Sequence, residues 1–207
     1  QYSERIPTAG VSKQGIGMQL TINPEFYNEL SEDHRFGLIK HELLHIAFGH
    51  LLLRDTYSNH KLFNIAADLE INQYILESKL PKGGLLLSSF PELNLPKKAG
   101  TREYYDLLMQ AKKDGTSPSL DNLMNQMDGE SQYCHSTWEE FDALPEADKK
   151  LVQKQIEHQL KDSAEQTAKK QGHIPGELAN IIHRLMHIDP PKFDWKGYLK
   201  RFVGNSS

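Results

Sequence analysis

Two histidines and a glutamate form the cluster best suited to chemistry: His41, Glu42 and His45, in the order His-Glu-Leu-Leu-His. In an α-helix each residue turns the chain by ~100°, so His41 and His45 lie ~40° apart and one turn along, where both imidazoles can reach one ion. Glu42 lies ~100° from His41, beside the pair. This arrangement suits Zn²⁺ that activates a water molecule, with the carboxylate as its general base.

The same pattern also fits two buried, hydrogen-bonded histidines beside an ordinary exposed glutamate. The stretch from about Ser31 to Leu53 reads as one helix that is apolar on nearly every side, so we expect it to be buried in the middle of the fold. Unpaired histidine and glutamate side chains would be costly to bury there. This context favours the metal site.

A catalytic zinc needs a third protein ligand and an open position for water. His50 is nine residues after His41 and half a turn out of phase on a continuous helix. It could reach the site only if the helix breaks at Gly49, so we interpret it as a core or helix-end histidine.

Asp68 is the third-ligand candidate that helix geometry favours. On a predicted helix from about His60 to Lys79, Asp68 lies on the apolar face, whereas Glu70 is expected to point to water. An aspartate centred on an apolar face should be paired or bound to a metal. Asn64 and Asn72, on the same face, could supply supporting hydrogen bonds.

The residues therefore predict a zinc-dependent peptidase with His41, His45 and Asp68 as metal ligands and Glu42 as general base, acting on a peptide or protein. In one alternative, Asp68 only orients a ligand histidine. In another, the metal joins two helices of a non-catalytic adaptor. His135 lies in a second polar cluster and could donate to a developing oxyanion or simply pack beside Trp138.

The surrounding sequence predicts a mainly α, α+β fold in a single domain over residues 1–207, with a core at about 15–113 and a C-terminal helical part at about 137–204. Residues 15–22 alternate like a strand, whose edge could add an extended peptide or which could simply pack on the helix. Gly, Ser, Pro and Asn predict a mobile loop at about 114–132. A short helix is expected to start at Asn23-Pro24, and further helices at 101–113, 146–170, 175–186 and 193–202.

Composition narrows the class of protein. The chain has 207 residues, 38% of them hydrophobic, and a net charge of -4, so electrostatics do not suggest a nucleic-acid partner. No apolar run approaches the ~18 residues that cross a bilayer, and no signal-peptide pattern begins the chain. The lone Cys134 excludes a cysteine-rich zinc site and fits a reducing compartment. We expect a cytoplasmic protein without a membrane partner.

The chain resembles the metallopeptidase domain that occurs N-terminal to von Willebrand factor A-like domains in bacterial and phage proteins. The similarity covers most of the chain and is concentrated in residues 15–80. The matching segments are His41–His50, Asn64–Asp68, Ile71–Asn72, Asp194–Trp195 and Arg201–Phe202.

This resemblance implies a zincin-like fold, a zinc peptidase activity and a MoxR-type AAA+ ATPase as partner. Asp68 stands where the family has an aspartate in its second motif. The von Willebrand factor A-like domain would begin where this chain stops, at Ser207. We therefore expect either a piece of a longer protein or a form that lacks that domain.

Overall fold

A computed structural model describes residues 1–15, 17–129 and 137–172, together with Ala179. The chain forms two compact units, residues 1–156 and residues 157–207. All the elements that carry the candidate site belong to the first unit. The organisation of residues 1–207 as a single domain stays a prediction.

The first unit begins with an antiparallel hairpin of β1 (Ala9–Gln14) and β2 (Gly17–Ile22), in which Val11 lies opposite Leu20. The alternation that predicted a strand at residues 15–22 corresponds to β2. The sequence did not predict β1. Its inward side chains are too few and too small to produce a recognisable alternation.

The outer edge of β2 is partly occupied by the chain itself. The Ser3 backbone N–H donates to the Ile22 carbonyl at 3.0 Å, and the Ile22 N–H donates to the Gln1 carbonyl at 2.9 Å. Near Ile22, the edge that could add an extended peptide therefore already has a backbone partner.

Helices make up most of the described chain, which confirms the mainly α, α+β fold class. Three of them begin at side-chain caps, since Asn23, Ser31 and Asn59 each accept from backbone N–H groups in the first turn. The α-helices are α1 (Pro24–Glu29), α2 (Glu32–Ala47), α3 (His50–Leu53), α4 (His60–Asn72), α5 (Thr101–Asp114), α6 (Pro118–Gly129), α7 (Glu139–Asp142) and α8 (Glu146–Gln171).

The helix predicted to run without interruption to Leu53 is in fact divided between α2 and α3. Gly49 adopts the left-handed conformation, with φ 69° and ψ 19°, and the Phe48 N–H donates back to the Leu44 carbonyl at 2.8 Å. Glycine adopts this conformation without a Cβ penalty, so it ends α2 and redirects the chain. His50 consequently starts α3 in a new direction.

α4 also ends earlier than predicted, at Asn72 instead of Lys79, and a short 3₁₀ helix follows at Glu77–Lys79. α2 packs against this 3₁₀ helix at Gly37. A Cβ atom at Gly37 would lie only 1.8 Å from the Lys79 carbonyl oxygen. The absence of a side chain at position 37 therefore allows the backbones to approach.

α4 is the centre of the first unit. Ten of its 13 residues are buried, because α5 packs along it on one side and α2 contacts it on another. It is therefore surrounded and does not have the solvent-facing side that an amphipathic helix has. The largest fully buried side chains around and within it include Leu51, Phe63, Phe90, Tyr104, Leu120, Trp138 and Phe141.

The prediction of a mobile loop at residues 114–132 is wrong for residues 118–129, which form α6. The Ser117 hydroxyl accepts from the Leu120 N–H at 3.2 Å, and Pro118 occupies the first helical position. Leu120 is fully buried, and Leu123, Met124 and Met127 pack on the core at helical spacing. The Ser-Pro start and the helical spacing of the apolar residues are therefore present in the sequence, within a polar composition that is typical of loops.

α5 and α8 lie within a residue of their predicted bounds. His135 and the helices predicted at 175–186 and 193–202 lie outside the described residues, apart from Ala179, which is helical. None of the helices among the described residues combines the length and apolar character of a bilayer-spanning segment.

Candidate metal centre

Three side chains from two helices direct ligand atoms at one another. The Nε2 atoms of His41 and His45, on α2, are 3.0 Å apart. Asp68 Oδ1, on α4, lies 3.2 Å from His45 Nε2 and 3.7 Å from His41 Nε2. Two imidazole nitrogens and a carboxylate oxygen in this proximity form a donor set that suits a divalent cation such as Zn²⁺. The structure thus brings together the three residues predicted as ligands.

The three side chains differ in exposure. His45 is fully buried, whereas the side chains of His41 and Asp68 are each 12% exposed in the described part of the chain. The cluster is therefore approached from the side of His41 and Asp68. His45 lies at its closed end.

Asn72 fixes the orientation of His41. The amide nitrogen of Asn72 donates to the Leu85 carbonyl at 2.8 Å, so its Oδ1 must be the atom that lies 2.8 Å from His41 Nδ1. That oxygen accepts from Nδ1–H and leaves the Nε2 lone pair of His41 directed at the cluster. Asn64 was expected to help in the same way, but its Oδ1 has no hydrogen-bond partner among the described residues.

His50 does not belong to the three-residue cluster but contacts one of its members, His45. Because the helix breaks at Gly49, His50 Nδ1 lies 2.9 Å from His45 Nδ1, and the His50 side chain is 1% exposed. His50 Nε2 lies 2.9 Å from the Thr101 hydroxyl. The prediction that His50 is a core histidine agrees with its burial, and its nitrogens contact side chains.

Glu70 was predicted to point to water, and that prediction is wrong. It is 5% exposed and accepts from the Thr101 N–H at 2.8 Å and from the Thr101 hydroxyl. The error arose because α5 covers the face of α4 that helix geometry had placed towards solvent. Burial acts to raise the pKa of Glu70, but the hydrogen bonds from His50 and Thr101 outweigh it and lower the pKa.

Glu42 is fully buried, so it is not the ordinary exposed glutamate of the alternative interpretation. Its neighbour Leu43 is 53% exposed, which places Glu42 on the inner side of α2. Its position next in sequence to His41, on the inner side of α2, makes it the candidate acid or base for a group bound at the cluster.

Trp138 was not predicted as part of the site. Its indole ring lies edge-on against His45, with ring centroids 4.8 Å apart, and it is fully buried. The neighbouring Thr137 hydroxyl donates to the Val11 carbonyl at 2.6 Å, which attaches this segment to β1. Packing from a segment so distant in sequence leaves no local signal in the pattern around His45.

A family model described as "Putative metallopeptidase domain" matches residues 8–207. The chain belongs to this family. The matched span includes both helices of the cluster, and a metallopeptidase family implies a metal cofactor for which the His-His-Asp cluster is a potential site. No curated protein and no solved structure matches the chain.

Proposed function

We propose that the protein is a zinc-dependent peptidase, in which His41, His45 and Asp68 hold Zn²⁺ and Glu42 is the general base. The observation that carries this proposal is the proximity of two imidazole nitrogens and one carboxylate oxygen, all within 4.8 Å of one another. Membership of a metallopeptidase family supports the class of reaction.

Glu42 and Asn72 each have a definite role in this reaction. When bound, the metal supplies a Lewis acid that polarises a water molecule and the scissile carbonyl. Glu42 accepts the proton that the water loses on attack and then donates it to the leaving amine, so that a peptide bond becomes a carboxylate and an amine. Asn72 keeps His41 in the form whose Nε2 lone pair faces the cluster.

The number of protein ligands favours catalysis over a purely structural metal. A structural zinc is almost always held by four protein ligands, whereas a catalytic zinc keeps one position open. The cluster contains three such residues in the described part of the chain, and His50 contacts His45 and Thr101 instead of joining it. The 12% exposure of His41 and Asp68 is consistent with access for a substrate.

Zinc content and hydrolysis, measured on the same preparations, test the proposal. The wild type is expected to bind one zinc and to cleave peptides in a mixture analysed by mass spectrometry. Glu42→Gln should keep the zinc and lose about 10²-fold or more of the cleavage rate, because proton transfer fails. Asp68→Asn should lose the zinc.

Glu77→Gln is the matched control, since Glu77 is exposed and lies outside the cluster; it should behave as the wild type. Undiminished cleavage by Glu42→Gln would reject the general base, and full zinc content in Asp68→Asn would reject the third ligand. Stoichiometric zinc with no cleavage of any peptide would favour the non-catalytic adaptor.

The other properties expected from the sequence stay predictions. They are a zincin-like fold, a cytoplasmic location, an AAA+ ATPase partner and a von Willebrand factor A-like domain in a longer protein. Co-purification of the chain with a MoxR-type AAA+ ATPase would test the partner.

A further inference from the structure

A buried row of hydrogen bonds leads from the closed end of the cluster to a carboxylate on the far side of α4. His45 Nδ1 lies 2.9 Å from His50 Nδ1, and His50 Nε2 lies 2.9 Å from Thr101 Oγ1. Thr101 then donates to Glu70 through its hydroxyl and, at 2.8 Å, through its backbone N–H. The row joins residues of α2, α3, α5 and α4.

The two ends of the row set the direction of its bonds. The Thr101 hydroxyl donates its single proton to Glu70 Oε2, which also accepts the Thr101 backbone N–H, so the hydroxyl oxygen accepts from His50 Nε2–H. At the other end, a cation bound at His45 Nε2 leaves the proton of that ring on Nδ1, so His45 donates from Nδ1 and the His50 Nδ1 lone pair accepts.

Because these residues are buried, only one direction of the hydrogen bonds satisfies all their donors and acceptors. His50 is 1% exposed, Glu70 5% and Thr101 6%, so bulk water does not compete for their donors and acceptors. A reversed bond at any step would leave two donors or two acceptors facing each other in a site of low polarity, where an unsatisfied polar group is costly. The left-handed turn at Gly49 brings His50 into this row.

We propose that His50 is a positioning residue that holds His45 in the tautomer and ring orientation that present Nε2 to the metal, with Thr101 and Glu70 anchoring His50. The proposal rests on the proposed function in taking His45 as a metal ligand. Ligand histidines are generally oriented by an acceptor at the second ring nitrogen. Here that acceptor is an imidazole, itself anchored by Thr101 and by the Glu70 carboxylate, whose Oε2 lies 3.6 Å from His50 Nε2.

Two substitutions of His50 separate its role at His45 from its role in packing. In His50→Asn the side-chain oxygen can stand near the Nδ1 position and still accept from His45. In His50→Gln the amide can stand near the Nε2 position, so the contact with Thr101 is kept and the acceptor for His45 is lost. His158→Gln, on the surface, is the control for histidine removal.

The first measurement is the ¹⁵N spectrum of the histidine rings in zinc-loaded protein, which identifies the protonated nitrogens of His45 and His50. We expect Nδ1–H at His45 and Nε2–H at His50 in the wild type and in the control. The second is zinc affinity by competition with a chelator. It should fall about 10–100-fold in His50→Gln and stay near the wild-type value in His50→Asn and in the control.

The wild-type spectrum alone can overturn the proposal, even if a variant fails to fold, because a proton on His50 Nδ1 would contradict the direction of the row. Equal zinc affinities for folded His50→Gln and His50→Asn would overturn it as well. If the wild type binds no zinc, the proposed function and this inference fail together, whereas bound zinc with a proton on His50 Nδ1 overturns this inference alone.

Discussion

The two histidines of the cluster are oriented by neutral acceptors, the Asn72 amide oxygen for His41 and the His50 imidazole for His45. Many ligand histidines donate directly to a carboxylate, which makes the imidazole more basic. A neutral acceptor fixes the ring equally well but adds less negative character to it. The metal would consequently keep more of its positive charge and polarise a carbonyl more strongly.

Replacement of Asn72 by leucine should separate orientation of His41 from the shape of the site. Leucine has a similar size, but it removes the acceptor for His41 Nδ1 and the donor to the Leu85 carbonyl. We expect zinc affinity to fall about 10–100-fold, because His41 is free to rotate and change tautomer. Competition with a chelator measures this change.

Circular dichroism of the metal-free Asn72→Leu protein is the accompanying check, because Asn72 is 2% exposed and its loss also affects stability. A variant that folds and binds zinc as tightly as the wild type would contradict the role given to Asn72.

At the scale of elements, the left-handed turn at Gly49 decides which residues meet at the closed end of the cluster. A Cβ atom there would meet nothing within 4 Å, so substitution acts through backbone strain alone. We expect Gly49→Ala to lower the free energy of unfolding by about 1–2 kcal/mol, whereas Gly49→Asn should cost less, because asparagine tolerates this conformation. Urea unfolding of the metal-free proteins measures both.

Zinc affinity provides a second comparison between Gly49→Ala and Gly49→Asn. Strain in Gly49→Ala favours continuation of α2, which would turn His50 away from His45, so this variant should also bind zinc less tightly than Gly49→Asn. Identical stability and affinity in the two variants would show that the turn does not control the position of His50.

For the fold as a whole, a metal bound between α2 and α4 should be stabilising, since the proposed ligands come from two separate helices. Binding to the folded state alone adds about 2.7 kcal/mol when free zinc is 100 times its dissociation constant. We therefore expect a chelator to lower the thermal midpoint of the wild type. Scanning calorimetry in buffered zinc and in chelator measures the difference.

Asp68→Asn is the control for metal removal, because it deletes one proposed ligand while the side chain keeps its size. Its midpoint should be the same with zinc and with chelator. A chelator effect as large as in the wild type would place the stabilising metal elsewhere in the chain.

The sequence predicted the cluster because helix phase is a local property. The spacing of His41 and His45 and the apolar neighbours of Asp68 determine which way these side chains face once each helix forms. It did not predict the meeting of His50, Thr101 and Glu70, since Thr101 follows His50 by 51 positions and only the packing of α5 on α4 brings them together. The outward orientation given to Glu70 failed for the same reason.

Two further differences between prediction and structure, at β1 and α6, concern secondary structure. β1 offered too short an alternation to be recognised without its partner strand, whereas α6 carried a Ser-Pro start and a helical apolar face that a polar composition obscured. The first could be found only from the hairpin as a whole. The second was present in the residues themselves.

The edge-on contact between Trp138 and His45 allows changes at the site to be followed by tryptophan fluorescence. Indole emission responds to the charge and coordination of a ring in contact with it, and this indole is shielded from solvent. The chain has only one other tryptophan, Trp195. With Trp195→Phe, the fluorescence of the protein would come from a single reporter beside a ligand histidine, so metal uptake could be followed in real time without a substrate or a dye.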